Sequence, residues 1–408
     1  MVQSERGLTR AATPRFEMVD LLRGLSILAV VLLHCYIRFG GYGVQVGTGL
    51  SRYWRHLIFQ NGGNGVTVFF AISGFLITLT SLRRFGSLER IRAFAFYRIR
   101  FARIAPLLLL LLFVLSLLHW GSLHSEALQA WHVKSAIGLP RALFSALTFH
   151  LNWLEAKTGY LPASWDVMWS LSVEEMFYLF FPLVCIALVG ERSPLRSVAW
   201  LMLLLLATTL IVLGPWARSV WLASSEIGQE KSYLGGMSSI ALGCLTALLC
   251  NRMSHSANIS RRWLYAAELF GWVLIAWIAS WPSWHWLRGT DRFLGRHDLD
   301  DIVVPVGVCL VMLTTVLRGS QGGGVLTAPI RWFGRHSYEV YLTHEFLVIL
   351  GVVAFLRWHG THPAVWTLAI TLLTAPLGWS VARWFSEPMN RWLRGPGNGL
   401  RSQQATSL

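Results

Sequence analysis

Arg23 and His34 stand eleven positions apart in one apolar run, VDLLRGLSILAVVLLHCYIRFG. Two ionisable groups in such a run are the first candidates for chemistry. At 3.6 residues per turn and 1.5 Å per residue the interval is about three turns, so both share one face roughly 16 Å apart. With Arg23 at a membrane boundary, His34 falls near the bilayer centre, where an ionisable side chain is costly and marks a site or a path. The structural alternative is a packing histidine bonded to a neighbouring helix. Asp20, one turn before Arg23, joins the candidates.

A second pair, Arg100 and Arg103 in FYRIRFARIAP, is spaced to face one side of a helix. Guanidiniums offer bidentate donors matched to phosphate oxygens, although arginines ahead of a span also set topology or meet anionic lipid. WSLSVEEMFYLFFP places Ser170, Ser172, Glu174 and Glu175 at the opening of an apolar run. Serine followed by acids is ordinary helix-start chemistry, yet two acids at a membrane boundary are expensive. Glu174 is expected to face inward, as partner of an arginine or orienter of the histidine. Late in the chain, FGRHSYEVYLTHEF supplies Arg335 for phosphate or lipid contact, with Tyr338 and, deeper, His344 as a possible second base. No nucleophile elbow, phosphate loop or zinc-protease motif occurs.

The elements that must position these residues are membrane helices. Of the 408 residues 54% are hydrophobic and 13% charged, against about 25% charged in soluble domains. Apolar runs fall at about 19–40, 63–82, 105–118, 173–189, 197–213, 233–250, 264–281, 302–317, 337–355 and 365–385, each near the roughly 20 residues a bilayer requires. The expected fold is an all-α polytopic integral membrane protein of about ten transmembrane helices surrounding a polar channel. Residues 1–16 are read as a cytoplasmic tail, 17–386 as the transmembrane domain and 387–408 as a second cytoplasmic tail.

Seven arginines between positions 83 and 103, with Glu89 the single acid among them, are the strongest cytoplasmic signal. The net charge of +15 is thus accounted for by topology, and no nucleic-acid partner is expected. Residues 119–172 are placed outside, partly re-entrant. Tryptophans such as Trp277, Trp281, Trp284 and Trp286 flank span ends, where they favour the interface. The five cysteines lack metal-ligand spacing, so no metal is expected. Cys35, beside His34 on a helix, points elsewhere and forms no dyad with it.

Taken together, these segments resemble the membrane acyltransferase-3 family over nearly the whole chain. RGLSILAVVLLH resembles its arginine, ten residues, histidine motif, and GNGVTVFFAISGFLIT its second-helix motif. RFARIAP resembles its arginine pair, WSLSVEEMFYLFFP its Ser-x-Glu motif at Ser172 and Glu174, and GRHSYEVYLTH its late-helix motif. There are departures: Thr67 stands where an acid is common, and Glu339 where a small or neutral residue is usual. The hydrolase-like domain fused to some larger members is not read in this sequence.

The resemblance implies an O-acyltransferase of the bacterial inner membrane, both termini cytoplasmic. It would carry an acyl group, acetyl in most members, from acyl-CoA to a hydroxyl of a cell-surface carbohydrate or a glycoside. It implies His34 as general base, Arg23 and Glu174 as its catalytic partners, and Arg100 and Arg103, with Arg335, as donor-binding residues. A direct transfer and a transient acyl-histidine both remain open. No permanently bound cofactor is implied; the partners are acyl-CoA, the acceptor and membrane lipid. The competing class is a proton-coupled transporter or flippase of a lipid-linked or small-molecule substrate, which buried His, Arg and Glu also suit. Paired broken helices and an inverted repeat, which would favour it, are not read here.

Overall fold

The computed structural model describes residues 16–191, 193–222, 224–253, 259–280, 300–319 and 323–395. It is 83% helical, with no strand among the described residues. Nine helices there are long and apolar enough to cross a membrane, and a shorter apolar helix accompanies them. The chain is thus an all-α polytopic membrane protein, as its hydropathy pattern requires: in hydrocarbon every backbone donor and acceptor must be satisfied within its own segment.

Helix α1 (Glu17–Gly41) begins with Glu17 and Asp20 in its first turn and ends with Arg38 in its last, each favourable against the helix dipole. After the short α2 (Arg52–Phe59) comes α3 (Gly62–Phe85), packed along α1. Helix α4 (Ala93–Ser122) starts well before the apolar run that announces it, so Arg98, Arg100 and Arg103 sit in the helix rather than ahead of it. Arginine is a good helix former, and the hydropathy of the segment conceals this first stretch.

Between α4 and α7 (Trp169–Val189) the chain makes only short helices, α5 (Leu139–Leu147) and α6 (Leu151–Thr158), with 3-10 turns. Then follow α8 (Ala199–Trp216), the short α9 (Glu226–Glu230), α10 (Tyr233–Met253), α11 (Arg261–Ala279) and α12 (Asp300–Leu317). The last four are α13 (Ala328–Arg335), α14 (Ser337–Arg357), α15 (Pro363–Val381) and α16 (Glu387–Arg394). Of the interfacial tryptophans, Trp281, Trp284 and Trp286 lie outside the described residues. Residues 387–394, read from sequence as the start of a tail, are helical and pack on α4.

What holds the site is the seat of α1 on α13 and α14. Gly24 meets the backbone oxygen of Ile330, and Gly334 that of Asp20, so closely that a Cβ on either would enter a carbonyl. Small residues let membrane helices approach to backbone contact where no hydrophobic drive pulls them together. An Arg331–Glu17 ion pair of 2.7 Å fastens the same crossing. Arg23, next to one of these glycines, is therefore fixed at the α1–α14 contact, where its Nε donates to Ser337 Oγ at 3.1 Å.

Candidate active site

A cavity of about 120 Å³ opens between α1, α3, α4, α7 and α14. Arg23, Arg100, Arg103, Glu174 and Tyr338 line it, so four helices distant in sequence bring five expected residues together. The guanidinium of Arg100 lies 4.8 Å over the ring of Tyr178, a cation–π contact that holds it without consuming its donors. Tyr178 in turn donates to Glu174 Oε2 at 3.4 Å and is bonded to Ser73. Tyr338 donates to the carbonyl oxygen of Ile104 at 2.8 Å, tying α14 to the turn of α4 that follows Arg103. The cavity therefore offers cationic donors, a carboxylate and aromatic rings in one lining.

Tyr341 also lines this cavity; its hydroxyl donates to the Val167 carbonyl at 2.9 Å and shares a 2.7 Å bond with Ser170. His344, on the next turn of α14, lies with its ring centroid 6.1 Å from that of Tyr341 and 4.9 Å from that of His34. His34 itself is not among the cavity residues. A row of rings, Tyr341, His344 and His34, runs from the cavity lining to the first helix.

The second constellation is built on His34. Its Nδ1 lies 2.8 Å from the Val30 carbonyl oxygen, which can only accept, so Nδ1 bears the hydrogen and Nε2 of the neutral ring keeps its lone pair. That Nε2 faces Oε1 of Glu345 at 3.5 Å. The other carboxylate oxygen accepts from Arg38 Nε at 3.2 Å and pairs with its terminal nitrogen at the same distance. Arg38 is one turn beyond His34 on α1, so a single helix face presents both to α14. Glu345 is 1% exposed. His344 repeats the pattern: its Nδ1 meets the Val340 and Tyr341 carbonyls, and its buried Nε2 has no hydrogen-bond partner.

The donor atoms of His34, His344 and Glu345 lie within 4.8 Å of one another, a set that could hold a metal ion. An ion there would occupy the lone pair that a base requires.

Three expected residues take other places. Ser172 accepts from the backbone N–H of Leu151 at 3.3 Å and so closes the start of α6. Arg335 is exposed in the last turn of α13. Asp20 is buried within electrostatic reach of Arg23. Sequence reasoning missed Arg38 and Glu345 as partners of the histidine. The available signals were the four-residue step from His34 to Arg38, and the carboxylate beside His344 inside an apolar helix.

Fold and site define a polytopic membrane protein with two polar constellations buried in its bundle, one cationic and one built on histidine. The chain belongs to the Acyl_transf_3 family, described as an acyltransferase domain, whose match runs over residues 16–383. YrhL of Bacillus subtilis (strain 168) is 27% identical over 338 residues, 78% of this chain and 49% of that protein. The O-acetyltransferase OatA of Staphylococcus aureus (strain NCTC 8325 / PS 47) is 22% identical over 400 residues, 94% of this chain and 59% of its own. The peptidoglycan O-acetyltransferase OatA of Listeria monocytogenes (serovar 1/2a, strain ATCC BAA-679 / EGD-e) is 23% identical over 389 residues, 90% and 55% respectively. This chain thus spans between about half and three fifths of the length of these relatives. No solved structure matches it.

Proposed function

We propose that the chain is an integral membrane O-acyltransferase of the bacterial cytoplasmic membrane, moving an acetyl group from acetyl-CoA to a hydroxyl of a cell-surface carbohydrate. Family membership and relatives named as O-acetyltransferases support the reaction class. The name of the Listeria relative favours a peptidoglycan-like glycan as acceptor.

The observation that carries the reading is His34: a ring with its Nδ1 hydrogen held by backbone and its Nε2 lone pair turned to a buried carboxylate. As the acceptor oxygen attacks the thioester carbonyl, His34 Nε2 takes its proton. The imidazolium formed is stabilised by Glu345, and Arg38 holds that carboxylate in place. Collapse of the tetrahedral intermediate breaks the C–S bond, and the departing thiolate of CoA receives the proton back from His34. The phosphates of the donor are held at Arg100 and Arg103, whose fixed charge and forked donors suit them. Its pantetheine arm threads the cavity past Tyr341 towards His344 and His34. Arg23, bonded to Ser337, and Glu174 set the charge balance along that path. The arginine-rich end then faces the cytoplasm, as the positive-inside bias favours, and the acceptor reaches His34 from the opposite end.

Purified protein in lipid nanodiscs, incubated with acetyl-CoA and soluble glycan fragments, is expected to yield O-acetylated product by mass spectrometry. His34→Ala should lower the turnover by roughly a hundred- to ten-thousand-fold, the usual range for a general base, with the protein still folded. Unchanged turnover in that variant sinks the mechanism. Substrate movement across the membrane with no ester formed would indicate a transporter instead.

A further inference from the structure

Arg394, the last residue of α16, is 8% exposed, and its buried Nε has no hydrogen-bond partner. The charged groups that act on it are Arg103, Arg84 and Arg100, all cations. A buried guanidinium within reach of like charges and, among the described residues, of no carboxylate is unfavourable unless an anion completes the site. One turn earlier on α16, Asn390 is 6% exposed and also keeps an unpartnered buried amide oxygen. Helix α16 packs on α4, the helix of Arg100 and Arg103.

These arginines are not equivalent. Arg100 and Arg103 line the cavity, whereas Arg394 and Arg84 flank them without entering it, Arg84 exposed at the end of α3. The cationic cluster thus reaches beyond the residues that line the cavity. A donor threaded arm-first would leave its diphosphate near the pair and any further phosphate beyond it.

We infer that Arg394 is a donor-binding residue and that the site it completes selects a nucleotide thioester carrying a phosphomonoester in addition to its diphosphate. A phosphomonoester brings nearly two negative charges and three acceptor oxygens, which is what a guanidinium surrounded by other guanidiniums lacks. The unpartnered amide of Asn390 is left to accept from a hydroxyl or amine of the same nucleotide. This inference rests on the acyl-CoA reading above and extends it from the thioester arm to the distal phosphate.

The test compares acetyl-CoA with 3′-dephospho-acetyl-CoA, using the full chain in phosphatidylcholine nanodiscs. The wild type should show a KM about tenfold higher for the dephospho form, the scale of one charge-assisted contact. Arg394→Gln should raise the KM for acetyl-CoA by a similar factor, affect kcat far less, and erase the preference between the two donors. Arg394→Lys should restore part of it, since it keeps the charge without the fork. Calorimetric titration with CoA gives the same comparison without turnover, and thermal melting confirms that each variant is folded.

An undiminished preference in both Arg394→Gln and Arg394→Lys overturns the inference while leaving the acyl-CoA reading intact. A defect that appears only when phosphatidylglycerol is added also overturns it, because the phosphate would then belong to a lipid headgroup. If wild-type protein binds neither CoA form, the donor reading fails and this inference fails with it.

Discussion

His34 Nε2 lies 3.5 Å from Oε1 of Glu345, and the opposite oxygen of that carboxylate is held 3.2 Å from Arg38. The carboxylate therefore faces the nitrogen that keeps the lone pair of the neutral ring, while a backbone carbonyl fixes the far side. In the proposed mechanism Glu345 matters most once the ring has become a cation. Glu345→Gln keeps shape and volume but removes the charge, and a hydrogen bond to a charged group contributes about 1.5–3 kcal/mol. We expect turnover to fall roughly 10- to 150-fold, with the KM for the donor little changed, since the site proposed for the donor phosphates lies elsewhere. Steady-state kinetics of the purified variant checks this. Wild-type turnover would remove Glu345 from the mechanism.

The cavity arginines make a prediction of opposite character. Arg100→Ala and Arg103→Ala should raise the KM for acyl-CoA more than that for the acceptor. Arg103→Lys should recover only part of the loss, because a point charge cannot reproduce bidentate geometry. Titration of the variants with CoA decides between this and a purely topological role: wild-type affinity alongside altered orientation in the membrane would leave the arginines as topology signals only.

The sequence makes the helices legible because each must satisfy its own backbone and is therefore long and apolar. Arg23 and His34 are legible because eleven residues return a helix to the same face. Arg100, Arg103, Glu174 and Tyr338 stand out as charged or polar groups at the rims of apolar runs, and the cavity gathers them with Arg23. Partners that depend on which helices touch are not legible. Glu345 reaches His34 only because α14 lies against α1, and Arg394 lies in a segment whose polarity resembles that of a tail. Ser172 was visible for the right reason, a serine at the opening of a helix, but the N–H it accepts from belongs to α6 rather than to its own helix.

A third polar cluster concerns stability. Lys231 Nζ, 1% exposed, bonds Glu155 Oε2 at 2.7 Å and also Asp166, clamping α6 and the entry to α7 against the start of α10. Glu155 is fully buried; burial and the Asp166 charge push its carboxyl well above the usual range, against the pull of Lys231. Lys231→Met removes that pull and leaves an uncompensated buried acid, a change that costs about 3–5 kcal/mol. A carboxyl whose folded pKa is raised binds more protons folded than unfolded, so stability falls as pH rises from its unfolded to its folded pKa. The deficit of Lys231→Met should therefore shrink on acidification, and adding Glu155→Gln should restore part of the loss at neutral pH. Thermal melts in detergent across pH test both expectations; a pH-independent deficit would rule out the ionised Glu155 as its cause.

The last prediction concerns the crossing of α3 and α10, the most extensive helix contact among the described residues. Gly74 of α3 lies against the backbone oxygen of Ile240, and Gly243 of α10 against that of Ala71, each so close that a Cβ would overlap a carbonyl. Neither neighbour is a flexible side chain that could turn aside, so relief requires the helices to separate. Overpacking of this kind costs about 1–3 kcal/mol. Gly63, near the start of the same α3, has nothing within 4 Å of its would-be Cβ, and alanine there should gain the roughly 0.5–1 kcal/mol of helix propensity that glycine lacks. Gly74→Ala and Gly243→Ala should therefore melt earlier than wild type, and Gly63→Ala at or above it. Separation at Gly74 also moves Ser73, which lines the cavity and is bonded to Tyr178. Gly74→Ala should accordingly weaken donor binding beyond any effect of Gly63→Ala. Equal melting of all three variants would show that this backbone contact is not what holds α3 and α10 together.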